Sequence, residues 1–453
     1  MPDIVIAILA VLFVFGVAIN IHEFGHFIVG KMFGMRIEAY SFFGIGKMIW
    51  KFRRGHTDYG IAMFPIGAYV KFYGDEATAG LEGGSSVGED VPKEELFEFR
   101  PRWQKFLVML GGPLMNIILA LAIPFGMAWV RGVPSSPPPI VAVIAKDGAA
   151  EKAGIKVGDR VVNFEGVENP SWDRIKQEAL LIPEKQVPIT VEREGQRVNL
   201  MITPTKVTEN GQPAGFLDMN VDAGVFIGNV EPNTPAQEAG LQRVDRILSI
   251  NGEKVESSQA IKDLVQKYKE NPLEITVERQ GKIVDVTASV RKLSDGTERL
   301  GIGFEAPLEP ATLVTATAYA FQSNWDILRM TAKALGQVRF FGQAEKGERS
   351  VRDTVSGPIG IVQIIAQMAT TAGFAGLLFL LGLISLNLGV MNLLPIPLLD
   401  GGQIVLLGIE KVLSWFGKTM SVALRDRINM TGFAILILLM AFTTFNDIAK
   451  FFR

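Results

Sequence analysis

The sequence predicts an α-helical membrane protein of four spanning helices, with two small α/β domains in its longest connection. Three observations lead there. Mean hydropathy is +0.26 although 20% of the 453 residues are charged, so apolar and polar surface must be segregated along the chain. Four long apolar runs stand apart from the charged stretches. The charged stretch between the second and third runs repeats itself. The balance of 45 basic against 47 acidic residues excludes the basic footprint of a nucleic-acid binder. The absence of cysteine excludes disulfides, thiolate metal sites and cysteine nucleophiles.

The first run, IVIAILAVLFVFGVAINI at 4–21, is apolar but for Asn20 and resumes at Phe27, giving a span of about 4–29. No basic residue precedes it and no small-residue cleavage site follows, so a retained span is expected rather than a cleaved signal peptide. The second span is expected at about 106–130, the third at about 373–399 and the fourth at about 430–447. The stretch 358–371 is apolar but too short to cross, and 308–372 as a whole reads as an amphipathic or interfacial segment. Eleven Lys and Arg residues lie between spans one and two, from Lys31 to Lys105, and Lys411, Lys418, Arg425 and Arg427 lie between spans three and four. Basic residues stay in the cytoplasm, so both termini and the long connection are expected outside.

That connection repeats with an offset of 86 residues. Ala150, Ala153, Gly154, Asp159, Arg160 and Gly166 return as Ala236, Ala239, Gly240, Asp245, Arg246 and Gly252, and ITVEREG at 189–195 returns as ITVERQG at 275–281. Each unit, 135–220 and 221–307, reads as a strand, a short helix ending at Ala-Gly, a strand, a two-residue turn, a polar helix and a strand. This order resembles a circularly permuted bacterial PDZ domain, a fold that binds extended peptides by adding a strand to a sheet edge. The Pro-rich VPSSPPP at 133–139 reads as a stiff linker.

The first span ends in His22-Glu23-Phe24-Gly25-His26. Histidines four apart share one helical face, so both rings can reach one tetrahedral ion, and the glutamate beside them can take a proton from a water that the ion activates. Ionisable residues in a spanning helix are costly and mark function. His22 lies roughly 27 Å along the helix from Ile4, near the far edge of the hydrocarbon layer. A catalytic zinc takes three protein ligands and keeps one position open. His56 lies in the basic turn Arg53-Arg54-Gly55-His56 and reads as solvated. Asp400 is the better third ligand: it follows Asn392-Leu-Leu-Pro395-Ile-Pro397-Leu-Leu399, where two prolines break span three at a similar depth.

Together, His22-Glu23-x-x-His26 and the N-x-x-P-x-P-x-L-D-G run at 392–401 resemble the site-2 protease family of intramembrane zinc metalloproteases. Four spans with two tandem PDZ domains between the second and third are similar to its regulator-of-sigma-E branch, as are Gly111-Gly112-Pro113-x-x-Asn116 and Ser356-Gly357-Pro358-Ile359-Gly360. The resemblance implies Zn2+ on His22, His26 and Asp400, with Glu23 as general base. It implies a bacterial inner-membrane protein with periplasmic PDZ domains. It implies that the substrates are single-span membrane proteins, an anti-sigma factor of the envelope stress response already trimmed outside, and remnant signal peptides.

A helical substrate hides its carbonyls in its own hydrogen bonds, so cleavage needs an unwound segment. Residues 36–73 read as short strands, whose edge could hold such a segment extended, and the resemblance implies that they form a membrane-reentrant β-sheet. Asn392 and Asn387 are candidates for binding substrate backbone or polarising its carbonyl; interhelical hydrogen bonding is the other use of such residues. The PDZ pair could take peptide ligands or bar substrates that still carry bulky external domains. Two other functions fit parts of the sequence: a membrane-anchored PDZ scaffold without catalysis, and a zinc transporter using intramembrane His and Asp. Neither uses Glu23 as a base.

Overall fold

The computed structural model describes residues 2–64, 67–74, 91–135, 137–209, 212–221, 224–231, 234–255, 258–268, 271–279, 281–292, 298–305, 308–336, 338–339, 349–350 and 357–450. Ser356 and residues 340–348 of the expected interfacial segment lie outside them. Helix α1 (Pro2–Met32) leads to strands β1 (Ile37–Phe43), β2 (Ile45–Arg54), β3 (Thr57–Phe64) and β4 (Tyr69–Phe72), then helix α2 (Arg102–Arg131). The first repeat runs β5 (Val141–Ile144), α3 (Ala149–Lys152), β6 (Arg160–Phe164), α4 (Trp172–Leu180), β7 (Val187–Arg193), β8 (Gln196–Ile202) and β9 (Met219–Val221). The second runs β10 (Val225–Val230), α5 (Pro235–Glu238), β11 (Arg246–Ile250), α6 (Ser258–Lys267), β12 (Leu273–Arg279), β13 (Lys282–Ala288) and β14 (Ile302–Glu305). Then follow α7 (Leu313–Gly336), α8 (Pro358–Thr371), α9 (Gly373–Asn392), α10 (Asp400–Trp415) and α11 (Val422–Lys450). Shorter strands flank these elements.

The chain divides into two compact units, one of residues 1–128, 313–328 and 355–453, the other of 129–312 and 329–354. In the first unit, α1, α2, α9 and α11 are the helices, among the described residues, long and apolar enough to cross a membrane. Their burial is the reverse of a soluble bundle: Ile4, Leu9, Ile118, Phe379, Leu438 and many like them are exposed, as a lipid-facing surface requires. Inside run narrow stripes at helical spacing. On α1 the stripe is Ala10, Val14, Ala18, His22 and His26, all buried. On α2 it is Val108, Gly112, Asn116 and Ala120, again four apart and buried.

Two expectations need correction here. Helix α9 stops at Asn392, so the third span is shorter than 373–399, and Asp400 opens a separate helix, α10, that the sequence reading did not foresee. Pro395 and Pro397 lack the N–H groups that would continue α9. The segment 308–372 is not one interfacial stretch. Residues 313–328 of α7 belong to the membrane unit, where Ala316 and Ala320 are buried and Asn324 Nδ2 donates to the Ala120 carbonyl of α2 at 3.0 Å. Small residues let α7 pack closely, and that hydrogen bond satisfies its buried amide. Helix α8 packs against α1, α9 and α11, its N-terminal amides of Gly357 and Gly360 bound by the carboxylate of Asp447 at 2.9 and 2.8 Å.

The sheet between α1 and α2 has the order β2-β3-β1-β4, so β2 and β4 are its edges. β1 pairs with β3 in parallel and with β4 antiparallel. Trp50, Phe52 and Phe64 are exposed on its β2–β3 side. Phe72 of β4 instead packs with Met35, Ile37 and Phe97 in a buried cluster.

The second unit holds two PDZ-type domains. In the first, β8-β7-β6 form one sheet and β9 pairs with β5; in the second, β13-β12-β11-β10-β14 are continuous. Each has its own core, built on Ile175, Ile189 and Ile202 in one and Ile227, Ile247 and Ile275 in the other. The repeat extends to polar groups. Arg193 forks onto the buried Asp159 at 2.7 Å, and Arg279 onto Asp245 at 2.7 and 2.6 Å.

Candidate metal centre and its pocket

Helix α1 carries His22 and His26 one turn apart, both rings buried toward α2. Two glycines make this approach possible. A Cβ on Gly25 would fall 2.1 Å from the Gly111 carbonyl oxygen, so the helices cross backbone to backbone. A Cβ on Gly112 would fall 2.4 Å from His26 Nε2 and 2.8 Å from His22 Cε1. The imidazoles therefore fill the space of the missing side chain.

Asp400 comes from a separate part of the chain, at the start of α10. The turn 393–399 folds back on the start of α10 so tightly that a Cβ on Gly401 would lie 2.3 Å from the Leu393 carbonyl oxygen, and one on Gly402 2.1 Å from that of Ile396. Leu398 is left at φ +77, a left-handed conformation that costs a branched side chain of order 1–3 kcal/mol and clusters at functional sites. Leu399 then caps the helix with extended backbone, and Asp400 stands in the first turn, where the helix dipole favours a negative charge.

His22, His26 and Asp400 each bring one ligand atom into a group that lies within 4.8 Å. His22 Nε2 is 3.1 Å from Asp400 Oδ2 and 3.2 Å from His26 Nε2, and His26 Nε2 is 3.5 Å from Asp400 Oδ1. Ligand bonds of about 2.0–2.1 Å in a tetrahedron put the donor atoms roughly 3.3 Å apart. The separation of the two imidazole nitrogens matches that edge, and each nitrogen lies near that distance from one oxygen of the Asp400 carboxylate, Oδ2 for His22 and Oδ1 for His26. Asp400 Oδ2 is buried and accepts no hydrogen bond among the described residues, a costly state for a carboxylate oxygen unless a cation meets it. Two imidazoles and one carboxylate are a donor set suited to zinc.

The tautomer of His26 follows from its neighbour. Its Nδ1 lies 2.7 Å from the Val108 carbonyl oxygen, which only accepts, so Nδ1 carries the proton and Nε2 presents its lone pair to the ligand group. His22 Nδ1 lies 3.3 Å from Nδ2 of Asn116. The carboxamide of Asn392, at the end of α9, lies 3.3 Å from His22 Nε2.

Glu23 points across the pocket. Its Oε2 accepts from the main-chain N–H of Val70 on β4 at 3.1 Å. A cavity of about 340 Å³ opens here, lined by His22, Glu23, His26 and Asp400 together with Val70 and Phe72 of β4 on one side and Asn392, Gln403 and Asn429 on another. Gln403 Nε2 donates to Asn429 Oδ1 at 3.2 Å. The arrangement joins a candidate cation site, the Glu23 carboxylate and a strand edge in one space.

The structure thus brings together His22, Glu23, His26, Asp400 and Asn392. His56 is exposed. Asn387 needs correction as a candidate: its amide donates to Leu383 of its own helix at 2.8 Å and it is not among the cavity's lining. On a helix it stands about 200° from Ser385, whereas Ser385, Gly389 and Asn392 share one stripe. That stripe touches Asn116, Pro113 and His22 in turn. The sequence reading missed Asn116, Ser385, Gln403 and Asn429 as site residues. A signal for Asn116 existed: it lies four residues after Gly112, on the face that meets the histidines.

The model of Peptidase family M50 matches residues 10–439 of this chain. A Vibrio cholerae serotype O1 protein that carries a zinc metalloprotease name is 31% identical over 476 residues, covering 99% of this chain and 100% of its own. The Protease RseP of Yersinia pestis is 29% identical, again over 99% and 100%. The Regulator of sigma-E protease RseP of Escherichia coli strain K12 is 29% identical over 96% of each chain. Among solved structures, the PDZ domain of an SdrC-like protein from Listeria monocytogenes matches 19% of this chain and 90% of its own at 24% identity and a TM-score of 0.17.

Proposed function

From the premise that this chain belongs to peptidase family M50 and is a metalloprotease, we propose that it is an intramembrane zinc endopeptidase that cuts the membrane segments of single-span proteins. The observation that carries this reading is the meeting of His22, His26, Asp400 and Glu23 in one cavity bounded by helices long enough to span a bilayer. His22 and His26 would hold the ion through their imidazoles, and Asp400 through its carboxylate. A bound divalent ion there supplies Lewis acidity, making water a nucleophile near neutral pH and polarising the scissile carbonyl.

The protein's own groups do the rest. Glu23 accepts the proton of the attacking water and passes it to the leaving amine. Asn392 donates a hydrogen bond to the carbonyl oxygen as charge develops on it. Strand β4 is the sheet edge nearest Glu23, and an unwound substrate segment pairs with it as an added strand, which exposes carbonyls that a helix would bury.

The basic residues between the first two and last two spans support a reading with those connections in the cytoplasm and the termini and the PDZ pair in the periplasm of the inner membrane. Relatives named regulators of sigma-E support an anti-sigma factor as substrate, and remnant signal peptides share its single-span form. The PDZ pair, 135–220 and 221–307, offers sites for peptide ligands.

The test is cleavage of a model single-span substrate by the purified full-length protein in liposomes, with products mapped by mass spectrometry. A chelator-sensitive cut within the membrane segment is expected. A cut only outside that segment, or one insensitive to chelator, would overturn the reading.

A further inference from the structure

Asn116 and Ser385 are the two most deeply buried polar side chains around the histidines, each fully shielded from solvent. Asn116 Nδ2 lies 3.3 Å from His22 Nδ1, and its Oδ1 lies 3.2 Å from Ser385 Oγ. Ser385 Oγ also lies 3.0 Å from the main-chain oxygen of Asn116. In that arrangement His22 Nδ1 receives a hydrogen bond, so a neutral ring must carry its proton on Nε2, the atom that faces Asp400 and His26. A ligating histidine needs the opposite: its far nitrogen donates and Nε2 is bare. The single proton of Ser385 is also claimed by two oxygens of Asn116 at once.

A half-turn of the carboxamide removes both conflicts. Oxygen and nitrogen of an amide exchange places with almost no change of shape. Oδ1 then accepts from the N–H at Nδ1 of His22. Nδ2 donates to Ser385 Oγ, and the Ser385 hydroxyl donates to the Asn116 carbonyl. Nδ1 of His22, Oδ1 and Nδ2 of Asn116 and Oγ of Ser385 then each meet a complementary partner, as a site with no solvent access favours. His22 then matches His26, whose Nδ1 donates to the Val108 carbonyl on the same stripe of α2.

We propose that Asn116, held by Ser385, is the positioning residue that sets the tautomer and orientation of His22 for metal binding. The inference rests on the assignment of His22 as a ligand. Helix α2 thereby fixes both imidazoles, His26 through a main-chain oxygen and His22 through a side-chain one. Gly389 of α9 makes the arrangement compact: a Cβ there would lie 2.9 Å from the Pro113 carbonyl oxygen and 3.3 Å from Asn116 Cβ.

The experiment measures zinc affinity of the full-length protein in detergent by competition with a chromophoric chelator, and the ligand-field spectrum of the cobalt-loaded protein. Asn116→Leu removes the acceptor and should weaken zinc about 10–100-fold, the usual effect of losing such a partner. Asn116→Asp keeps an acceptor and should restore affinity and the cobalt spectrum. Ser385→Ala leaves Asn116 in place but unanchored and should give a smaller loss; it also serves if Asn116→Leu does not fold. Wild-type affinity and spectrum in Asn116→Leu, or in Ser385→Ala where it stands in, would overturn the proposal. So would Asn116→Asp failing as badly as Asn116→Leu, since His22 would then need a donor. Asp400→Asn runs alongside: unaltered zinc binding there, or none in the wild type, would sink the ligand assignment itself.

Discussion

The main-chain N–H of Val70 donates to Oε2 of Glu23 at 3.1 Å, so the edge strand β4 holds the carboxylate beside the paired histidines. Val70 lies opposite Tyr40 in the β1–β4 ladder, yet its N–H turns away from β1 toward the pocket. The strand that we propose receives substrate also holds the carboxylate that we propose as the base.

Replacing Val70 with proline deletes that N–H without removing a bond to β1. We expect kcat to fall about tenfold or more, on the scale of misplacing a general base, with zinc content unchanged. Steady-state cleavage of a single-span substrate, with metal analysis of the same preparation, checks it. A loss of zinc would place Val70 in the fold of the metal site instead.

Glu23→Gln keeps shape and a hydrogen-bond acceptor but not the base. Zinc stoichiometry should match wild type while turnover drops by a factor of about 10² to 10⁴. Normal turnover would remove Glu23 from the chemistry.

Asp400→Asn removes the carboxylate whose Oδ2 is buried without a hydrogen bond. Metal content after dialysis should fall well below one ion per chain, and chelator should inactivate the wild type with activity returning on added zinc. Full retention of the ion by the variant would contradict the assignment.

Gly112→Ala drives a methyl group to 2.4 Å from His26 Nε2, whereas the same change at Gly126 meets nothing within 4 Å. Both sit in α2, so helix propensity is shared and only the contact differs. Activity and zinc affinity should be lost in the first variant and kept in the second.

In the first PDZ-type domain, burial pushes the Asp159 carboxyl up, but the Arg193 fork and the Lys156 amide outweigh it and hold the group below the usual carboxylate range. A depressed value contributes stability that is present above 3.8, the ordinary value, and lost as pH falls through the folded one. Thermal unfolding of the full-length protein should therefore show a midpoint that drops as pH falls below 3.8. Arg193→Met should lower the midpoint at neutral pH and flatten the acid limb. An unchanged acid limb would assign the dependence to other groups.

The sequence by itself determined what depends on local spacing. Four apolar runs set the spans because a bilayer selects for length and hydropathy. Histidines four apart fixed one helical face. An unchanged offset revealed the duplicated domains, whose Asp–Arg pairs recur in both copies. Tertiary structure decided whatever depends on which faces meet. Only the crossing of α1 and α2 at Gly25 and Gly111 turns Asn116 toward His22, and only the tight return at 393–399 carries Asp400 to within 3.1 Å of it. Asn387 and Asn392 read alike in sequence. Helix rotation directs one to its own backbone and the other to the histidines, because a side chain's chemistry is set by the neighbour its face is packed against.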